Sequence, residues 1–544
     1  MSGVNKHLEL NKLPEIITVT LFCLFVLSLP FSESFISITS GLILLGQIIL
    51  LFVTKKLKSG LFSDISMWLV VSIFFVYVLG MFFSKDINLG FYELKKVIFW
   101  LILTLGVAGS EKISKKNFWL LLSIFVFGVT VASFISFYKM LFSNLYDIHN
   151  FREVNYVSHI PFSFQISFSI LILIFSFFYE NYYLNHIKPV FRIICIIWLL
   201  FFLFLLKSFL GIISFYVTSA ILTLLIVSFF NSKKIKAVIL LVAIPVFIVP
   251  IIFIVVAISN FYNVKDTEKP SEGIKTKYGN EYTFDFSKKF KENGYYISWY
   301  LCEPELEIAW NKKSELKYNQ IDKNGYLVSE TIKRYLTSKG LKKDAEGIES
   351  LSSRDIQNIE SGIANYIFDC SAYSIYPRVY ETIWEIDHYL LTKDPNDQSL
   401  SQRIEYSKAA LNIIKNNFWF GVGTGNFEKE YYKSFKEINS LLNERNYGSA
   451  HNQYLNYLLK FGIIGFLYIL FVIIFVVFRK GQSGNKLLIL FLVYIMIANF
   501  GDSNLETHVG LSFFVFFFSF LIWHSPENLL KKPDISNRSF RKII

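Results

Sequence analysis

Residues 403–427, RIEYSKAALNIIKNNFWFGVGTGNF, and residues 450–466, AHNQYLNYLLKFGIIGF, decide how this 544-residue chain is read. The first piece opens on a lone arginine at the head of a helix-like segment and closes on a glycine-rich turn. The second leads from His451, without a break, into an apolar run. From Ser401 the spacing is helical. Ile404, Leu411 and Ile414 share a face, Ser399 or Ser401 can cap, and Arg403 falls in the first turn with Tyr406 and Ala410 along its side. A cation near a helix N-terminus is disfavoured by roughly 0.3–1 kcal/mol. Arg403 therefore calls for an anion: Asp397, Glu405, or a substrate phosphate held by the guanidinium fork.

The helix ends at Asn416-Asn417, and Gly421, Gly423 and Gly425 follow at alternate positions. Such a turn tolerates positive φ and could present backbone N–H groups to a phosphate. His451 has Leu455, Leu458 and Gly462 on one continuous face running into the membrane. Histidine, with an unperturbed pKa of roughly 6.5, is the natural proton acceptor near neutrality; the alternative is a polar anchor at the interface. Gly462 and Gly465 would let a helix or a lipid pack closely.

Outside this stretch the chain is a membrane protein by composition: 53% hydrophobic, 18% aromatic, only 18% charged, with 58 phenylalanines. A bilayer core takes about 20 apolar residues per helix. Twelve runs qualify, at 14–30, 36–53, 66–83, 93–109, 117–138, 159–179, 190–206, 209–230, 237–258, 460–478, 486–500 and 508–523. The run at 93–109 is marginal because Lys95 and Lys96 must reach the interface. The expected fold is an all-α polytopic membrane protein of about 12 spans with one large, partly helical loop between spans 9 and 10. Three regions follow: an N-terminal membrane domain at 1–258, the loop at 259–452 carrying Arg403 to His451, and a C-terminal membrane domain with its tail at 453–544.

The net charge of +12 does not point to nucleic acid. Residues 260–451 hold 26 basic and 28 acidic groups, so the excess belongs to the membrane-flanking segments. With a cytoplasmic N-terminus, cytoplasmic segments carry 21 Lys and Arg and the short opposite loops six. This asymmetry puts both termini inside and the large loop outside. The N-terminus, with no small-residue cleavage site before Pro30, reads as a retained span. Cys302 and Cys370 fall in the loop, as a disulfide or as two free thiols.

Within the loop, Leu327–Gly340 and Ser352–Asp369 read as helices, with Ser329 as candidate cap and Gly340 as stop. Residues 278–299 read as strand or loop, and Asp394-Pro395-Asn396-Asp397 as a solvated turn. There is no P-loop, zinc-type Cys/His cluster or nucleophile elbow.

His451-Asn452, then nine residues, Gly462, two residues and Gly465 resemble the pattern of the O-antigen ligase superfamily, which also holds O-antigen polymerases and bacterial O-oligosaccharyltransferases. Arg403, Ala410-Leu411 and GVGTGNF resemble the block ahead of that histidine. The resemblance covers about 65 residues by motif and most of the chain by architecture, with residues 262–395 as a long-loop variant. It implies transfer of a glycan from an undecaprenyl-diphosphate carrier to a lipid A–core or glycan acceptor at the periplasmic face of the bacterial inner membrane, without metal or cofactor. His451 would be the base or would orient acceptor or diphosphate. Arg403 would bind the leaving diphosphate, and Gly421, Gly423, Gly425 and Asn452 would line the substrate. Two features depart from the family: Tyr406 stands where a tryptophan is frequent, and Lys207-Ser208-Phe209 where Ser-Arg is frequent. Lys207 can still meet phosphate as a point charge, and Arg152, beside His149 and His159, is the second loop candidate.

A ligase and a polymerase share the donor, and the long loop favours the bulkier acceptor of a ligase; an O-oligosaccharyltransferase would act on protein. A flippase predicts charged residues in several spans or inverted repeats, and the apolar runs are almost free of charge.

Overall fold

A helix that is apolar on every side has to be enclosed, and HVGLSFFVFFFSFLIW, residues 508–523, is such a sequence. In the computed structural model of the chain it is buried from Val509 to Ile522 and forms the axis of the membrane bundle. Its rings meet those of several neighbouring helices. Phe516 stacks on Phe25 at 4.5 Å, Phe520 on Phe118 at 4.9 Å, and Phe517 meets Phe125 and Phe168 edge-on at 4.8 and 4.9 Å. Aromatic pairs of this kind add about 0.5–1.5 kcal/mol each beyond the area they bury.

The structure describes residues 2–54, 63–142, 155–179, 187–266, 268–271, 273–369 and 374–530. The helices are α1 (Ser2–Ser28), α2 (Glu33–Thr54), α3 (Ile65–Met81), α4 (Ile87–Val97), α5 (Phe99–Gly109), α6 (Lys115–Phe142), α7 (His159–Phe178), α8 (Pro189–Leu205), α9 (Phe209–Phe229) and α10 (Lys233–Tyr262). Then come α11 (Glu303–Lys313), α12 (Val328–Ser338), α13 (Ala345–Glu349), α14 (Ser353–Glu360) and α15 (Tyr376–Thr392). The last five are α16 (Ser399–Asn416), α17 (Phe427–Glu437), α18 (Gln453–Arg479), α19 (Lys486–Gly501) and α20 (His508–Trp523). Two compact units result: Met1–Ala243 with Arg403–Ile544, and Ile244–Gln402. The stretch from Arg403 to His451 therefore goes with the membrane helices.

Among the described residues seven helices are long and apolar enough to cross a membrane, and four shorter apolar ones lie at Leu13–Ser28, Pro189–Leu205, Lys486–Gly501 and His508–Trp523. The expected run at 93–109 is divided at Ile98 into α4 and α5. The expected break at Lys207-Ser208 is present: Lys207 has φ 47° and Ser208 caps α9 by accepting from Gly211 N–H. The two ends of the bundle are tied differently. At one, Asp64 accepts from Lys480 Nζ at 2.6 Å and Trp523 Nε1 at 2.9 Å; the other end carries the site described below.

Ile244–Gln402 has its own core around Leu306, Trp310, Val328, Ile332, Tyr335 and Ile359. Its only paired strands among the described residues are the two-residue β1 (Lys291–Glu292) and β2 (Tyr295–Tyr296). Ser329 does not cap: α12 starts one residue before it and its N-cap is Leu327. The single helix expected over Ser352–Asp369 stops at Glu360, because Gly362 takes φ 79° and turns the chain into a 3-10 segment at Tyr366–Asp369. Ser352 supplies a capping box with Asp355. Cys302 is free and buried, and Cys370 lies outside the described residues.

Candidate active site

Above the spans, α16, α17 and the first turns of α18 share a small core that includes Tyr406, Ala409, Ala410, Ile413, Tyr431 and Phe435. The buried stripe of α16 thus runs 406–409–410–413. Leu411, expected on the inner face, is 56% exposed, because two alanines allow α17 to approach on the adjoining side. This core fixes the axis of α16, and Arg403 hangs from its early turns.

Arg403 finds its electrostatic partner at the other end of a different helix. Its Nη1 donates to the carbonyl of Gly501 at 3.2 Å, the last residue of α19. Carbonyls there have no intrahelical partner and carry the negative end of the helix dipole, so the cation disfavoured at the start of α16 is favoured by α19. Among the described residues this is its one hydrogen bond, and Glu405 is engaged instead by Lys408 and Ser440.

The next residue, Asp502, accepts at one oxygen, Oδ1, from His451 Nδ1 at 3.0 Å and from Ser503 N–H at 2.8 Å. The His451 side chain is 43% exposed and that of Asp502 15%. Burial by itself would raise the Asp502 carboxyl. The hydrogen bonds from His451 and Ser503 and the attraction of the Arg403 cation outweigh it, holding the group below the usual carboxylate range. With Nδ1–H donated to Asp502, Nε2 is left as the free acceptor nitrogen of a half-exposed imidazole. The Tyr406 ring lies 6.2 Å from it, and its hydroxyl donates to Asn446 O at 2.8 Å. A base oriented by a carboxylate, beside a guanidinium, suits deprotonation of an acceptor next to an anionic leaving group. Asp502 was not singled out in the sequence; one acid after a short apolar run reads as loop polarity.

Asn452 is a helix cap. Its Oδ1 accepts from Tyr454 and Leu455 N–H, and its Nδ2 donates to Phe500 O at 3.1 Å, so this side chain positions His451 rather than facing a substrate. The glycine turn is likewise taken up within the protein. The N–H groups from Gly421 to Gly425 go in order to Asn417 O, Leu459 O, Lys460 O, Gly80 O and Ser84 Oγ, leaving none to cradle a phosphate.

The reason lies in α18. Gly462 adopts φ 64°, ψ −173°, which interrupts the helix, so the face expected to run on from His451 is broken there. The break strands carbonyls before it and N–H groups after it. Val422 and Gly423 donate to Leu459 and Lys460, while Ile463 and Ile464 donate to Phe418 and Trp419. FWFGVG is therefore a backbone splint across a broken membrane helix. A Cβ on Gly421 would stand 2.5 Å from Lys460 O, and one on Gly462 2.3 Å from Trp419 O. The splint leaves Trp419 and Phe420 more than half exposed, side chains suited to a membrane interface.

Lys207 belongs to the same end of the bundle, since Leu210, one turn on, lies against Gly501. Arg152 and His149 lie outside the described residues. The runs are less free of charge than their hydropathy implies. Lys460, at the head of the tenth run, is buried between Glu93 and Glu506 at 2.6 and 2.8 Å. No signal separated it from an interfacial lysine, because its partners are distant in the chain.

Residues 358–470 match the family model described as O-Antigen ligase. An uncharacterized protein of Haemophilus influenzae is 30% identical over 95 residues, covering 18% of this chain and 24% of that relative, so the match spans about a quarter of the relative's length. The family match runs from ahead of Arg403 through His451 to beyond Gly465, so this stretch is similar to the O-antigen ligase domain and supports the superfamily of O-antigen ligases and polymerases.

Proposed function

We propose that the chain is a glycan ligase that moves an undecaprenyl-diphosphate-linked polysaccharide onto a lipid A–core acceptor at the periplasmic face of the inner membrane. The observation that carries this reading is the His451–Asp502 pair set beside Arg403, whose guanidinium makes one hydrogen bond, to Gly501, among the described residues. In the reaction the acceptor hydroxyl oxygen bonds to the anomeric carbon as the bond from that carbon to the diphosphate oxygen breaks. The electron pair leaves on the diphosphate, and the hydroxyl proton passes to His451 Nε2. Asp502 holds the imidazole by Nδ1 and stabilises the imidazolium, and Arg403 meets the charge that grows on the leaving group. Lys207 adds a second cation at this end of the bundle. The unit Ile244–Gln402, folded around a core of its own, supports a bulky acceptor and so the ligase over the polymerase.

Deleting the gene and separating surface lipopolysaccharide by electrophoresis tests the assignment. Bare cores with glycan accumulating on undecaprenyl diphosphate are expected. Cores bearing a single repeat unit would identify a polymerase instead, and unchanged lipopolysaccharide would reject both.

A further inference from the structure

The charged cluster around Lys460 is absorbed by none of the roles above. The side chains of Lys460, Glu93 and Glu506 are 3%, 2% and 11% exposed. Lys460 Nζ lies 2.6 Å from Glu93 Oε2 and 2.8 Å from Glu506 Oε2, and Lys96 pairs with the other oxygen of Glu93. Two cations and two anions thus cancel at the junction of α4, α18 and the turn after α19. A buried ion pair is a poor stabiliser, since removing charges from water costs several kcal/mol per ion and apolar packing of equal volume does as well. What it can supply is register.

The register in question is that of the dyad. Glu506 stands four residues after Asp502 in the same short turn, and its Oε1 accepts from Gln453 Nε2 at 3.1 Å and from Tyr77 Oη at 3.2 Å. Gln453 stands two residues after His451, and its Oε1 accepts from Leu505 N–H at 2.9 Å. Glu506 is therefore tied to both halves of the His451–Asp502 pair, and Lys460 ties Glu506 to Glu93 on α4. We propose that Lys460 is a positioning residue: its ammonium clamps Glu506 against Glu93 and so holds the Asp502 turn in register with the first turn of α18. The kinetic side of this proposal rests on the transfer reading; the geometric side does not.

The test uses the full chain in lipid nanodiscs. Lys460→Met alone would leave Glu506 buried without its cation, so the working variant removes the three buried charges together, Lys460→Met/Glu93→Gln/Glu506→Gln, and leaves the 26% exposed Lys96 to solvent. The readouts are the 15N spectrum of the His451 imidazole, assigned by its absence in His451→Ala, and transfer from an undecaprenyl-diphosphate glycan. The wild type is expected to show Nδ1 protonated and Nε2 bare. In the triple variant we expect mixed tautomers and a kcat lower by about 10²-fold, the scale of a small misplacement at a reacting centre, with the donor KM unchanged. A wild-type imidazole spectrum, or wild-type kcat, in the triple variant overturns the proposal. Should the triple variant not fold, Glu506→Gln keeps Lys460 paired with Glu93 and must shift the spectrum in the same direction; an unshifted spectrum there also overturns it. A wild type with a single tautomer and no transfer would sink the transfer reading while the spectra still decide the clamp.

Discussion

At the scale of single residues the proposed chemistry rests on which nitrogen of His451 carries the proton, a choice that the Asp502 contact at Nδ1 favours. Replacing Asp502 by Asn keeps the shape but offers an amide that can donate to Nδ1, turning the imidazole to the wrong tautomer. Transfer should fall by about 10²-fold or more, as when the carboxylate of a Ser-His-Asp triad is amidated. Because the pair acts as one unit, Asp502→Asn combined with His451→Ala should be no worse than His451→Ala alone; initial rates on equal amounts of inserted protein decide this. The Asp502 carboxyl is held low, so the stability it contributes is present above its unfolded pKa and is lost as pH falls through the lower folded value. The dyad is thus ionised on the Asp502 side throughout the neutral range. Arg403 permits a separate comparison. Arg403→Lys keeps a charge but loses the planar fork, so we expect about tenfold slower transfer, and Arg403→Ala slower still. Equal rates for Lys and Arg would reduce the role to a point charge. Arg403 was legible in the sequence as a cation in the first turn of a helix, where it is disfavoured, and His451 as a polar group at the head of an apolar helix. Asp502 was not, since its meaning comes from a partner 51 residues away.

At the scale of elements, the glycines proved to serve folding. The sequence marks GVGTG as a site for close approach, and close approach there is, but to the backbone of α18 rather than to a ligand. Nothing local distinguishes the two, because a turn that cradles phosphate and a turn that splints a broken helix need the same left-handed φ. Gly462 and Gly481 give a controlled comparison. Both have φ 64°, but a Cβ at Gly481 meets nothing within 4 Å, while one at Gly462 meets the Trp419 backbone at 2.3 Å. Gly481→Ala should cost only the left-handed strain, about 1–2 kcal/mol. Gly462→Ala adds the clash and the loss of the splint's hydrogen bonds, in a region of φ/ψ open essentially to glycine alone. We expect detergent-solubilised Gly462→Ala to aggregate or to unfold well below the wild type in a thermal shift assay, and Gly481→Ala to stay within a few degrees of it. Equal melting of the two would remove the splint from the account of the fold. The helices of Ile244–Gln402 make a milder version of the same point: capping chemistry at Ser352 was readable, whereas the end of α14 depended on one glycine, Gly362, turning left.

At the scale of the whole molecule, the apolar runs were legible because each is a property of consecutive residues. Their count was less so, since a run does not say where a helix breaks, as at Ile98, or how a 16-residue helix such as α20 is enclosed. Orientation is a further step, and α18 is the element on which to test it. It is broken at Gly462, and the stretch beyond the break, residues 463–479, rises about 25 Å at 1.5 Å per residue, close to a hydrocarbon core of about 30 Å. Its two ends therefore emerge on opposite sides. Ser449, exposed and two residues before His451, marks one end, and Ser483, exposed and flanked by Arg479, Lys480 and Lys486, marks the other. The basic flank predicts that Ser483 lies on the cytoplasmic side. In a background with Cys23, Cys195, Cys302 and Cys370 replaced, a membrane-impermeant maleimide should label Ser449→Cys in intact spheroplasts and Ser483→Cys only after lysis. The reverse pattern would put His451 on the cytoplasmic side and end the case for transfer at the periplasmic face, because a glycan already carried across the membrane could not reach its base. Agreement would place the carboxylate-oriented histidine, the Arg403 guanidinium and the exposed Trp419 and Phe420 at the one interface where a lipid-borne diphosphate presents itself.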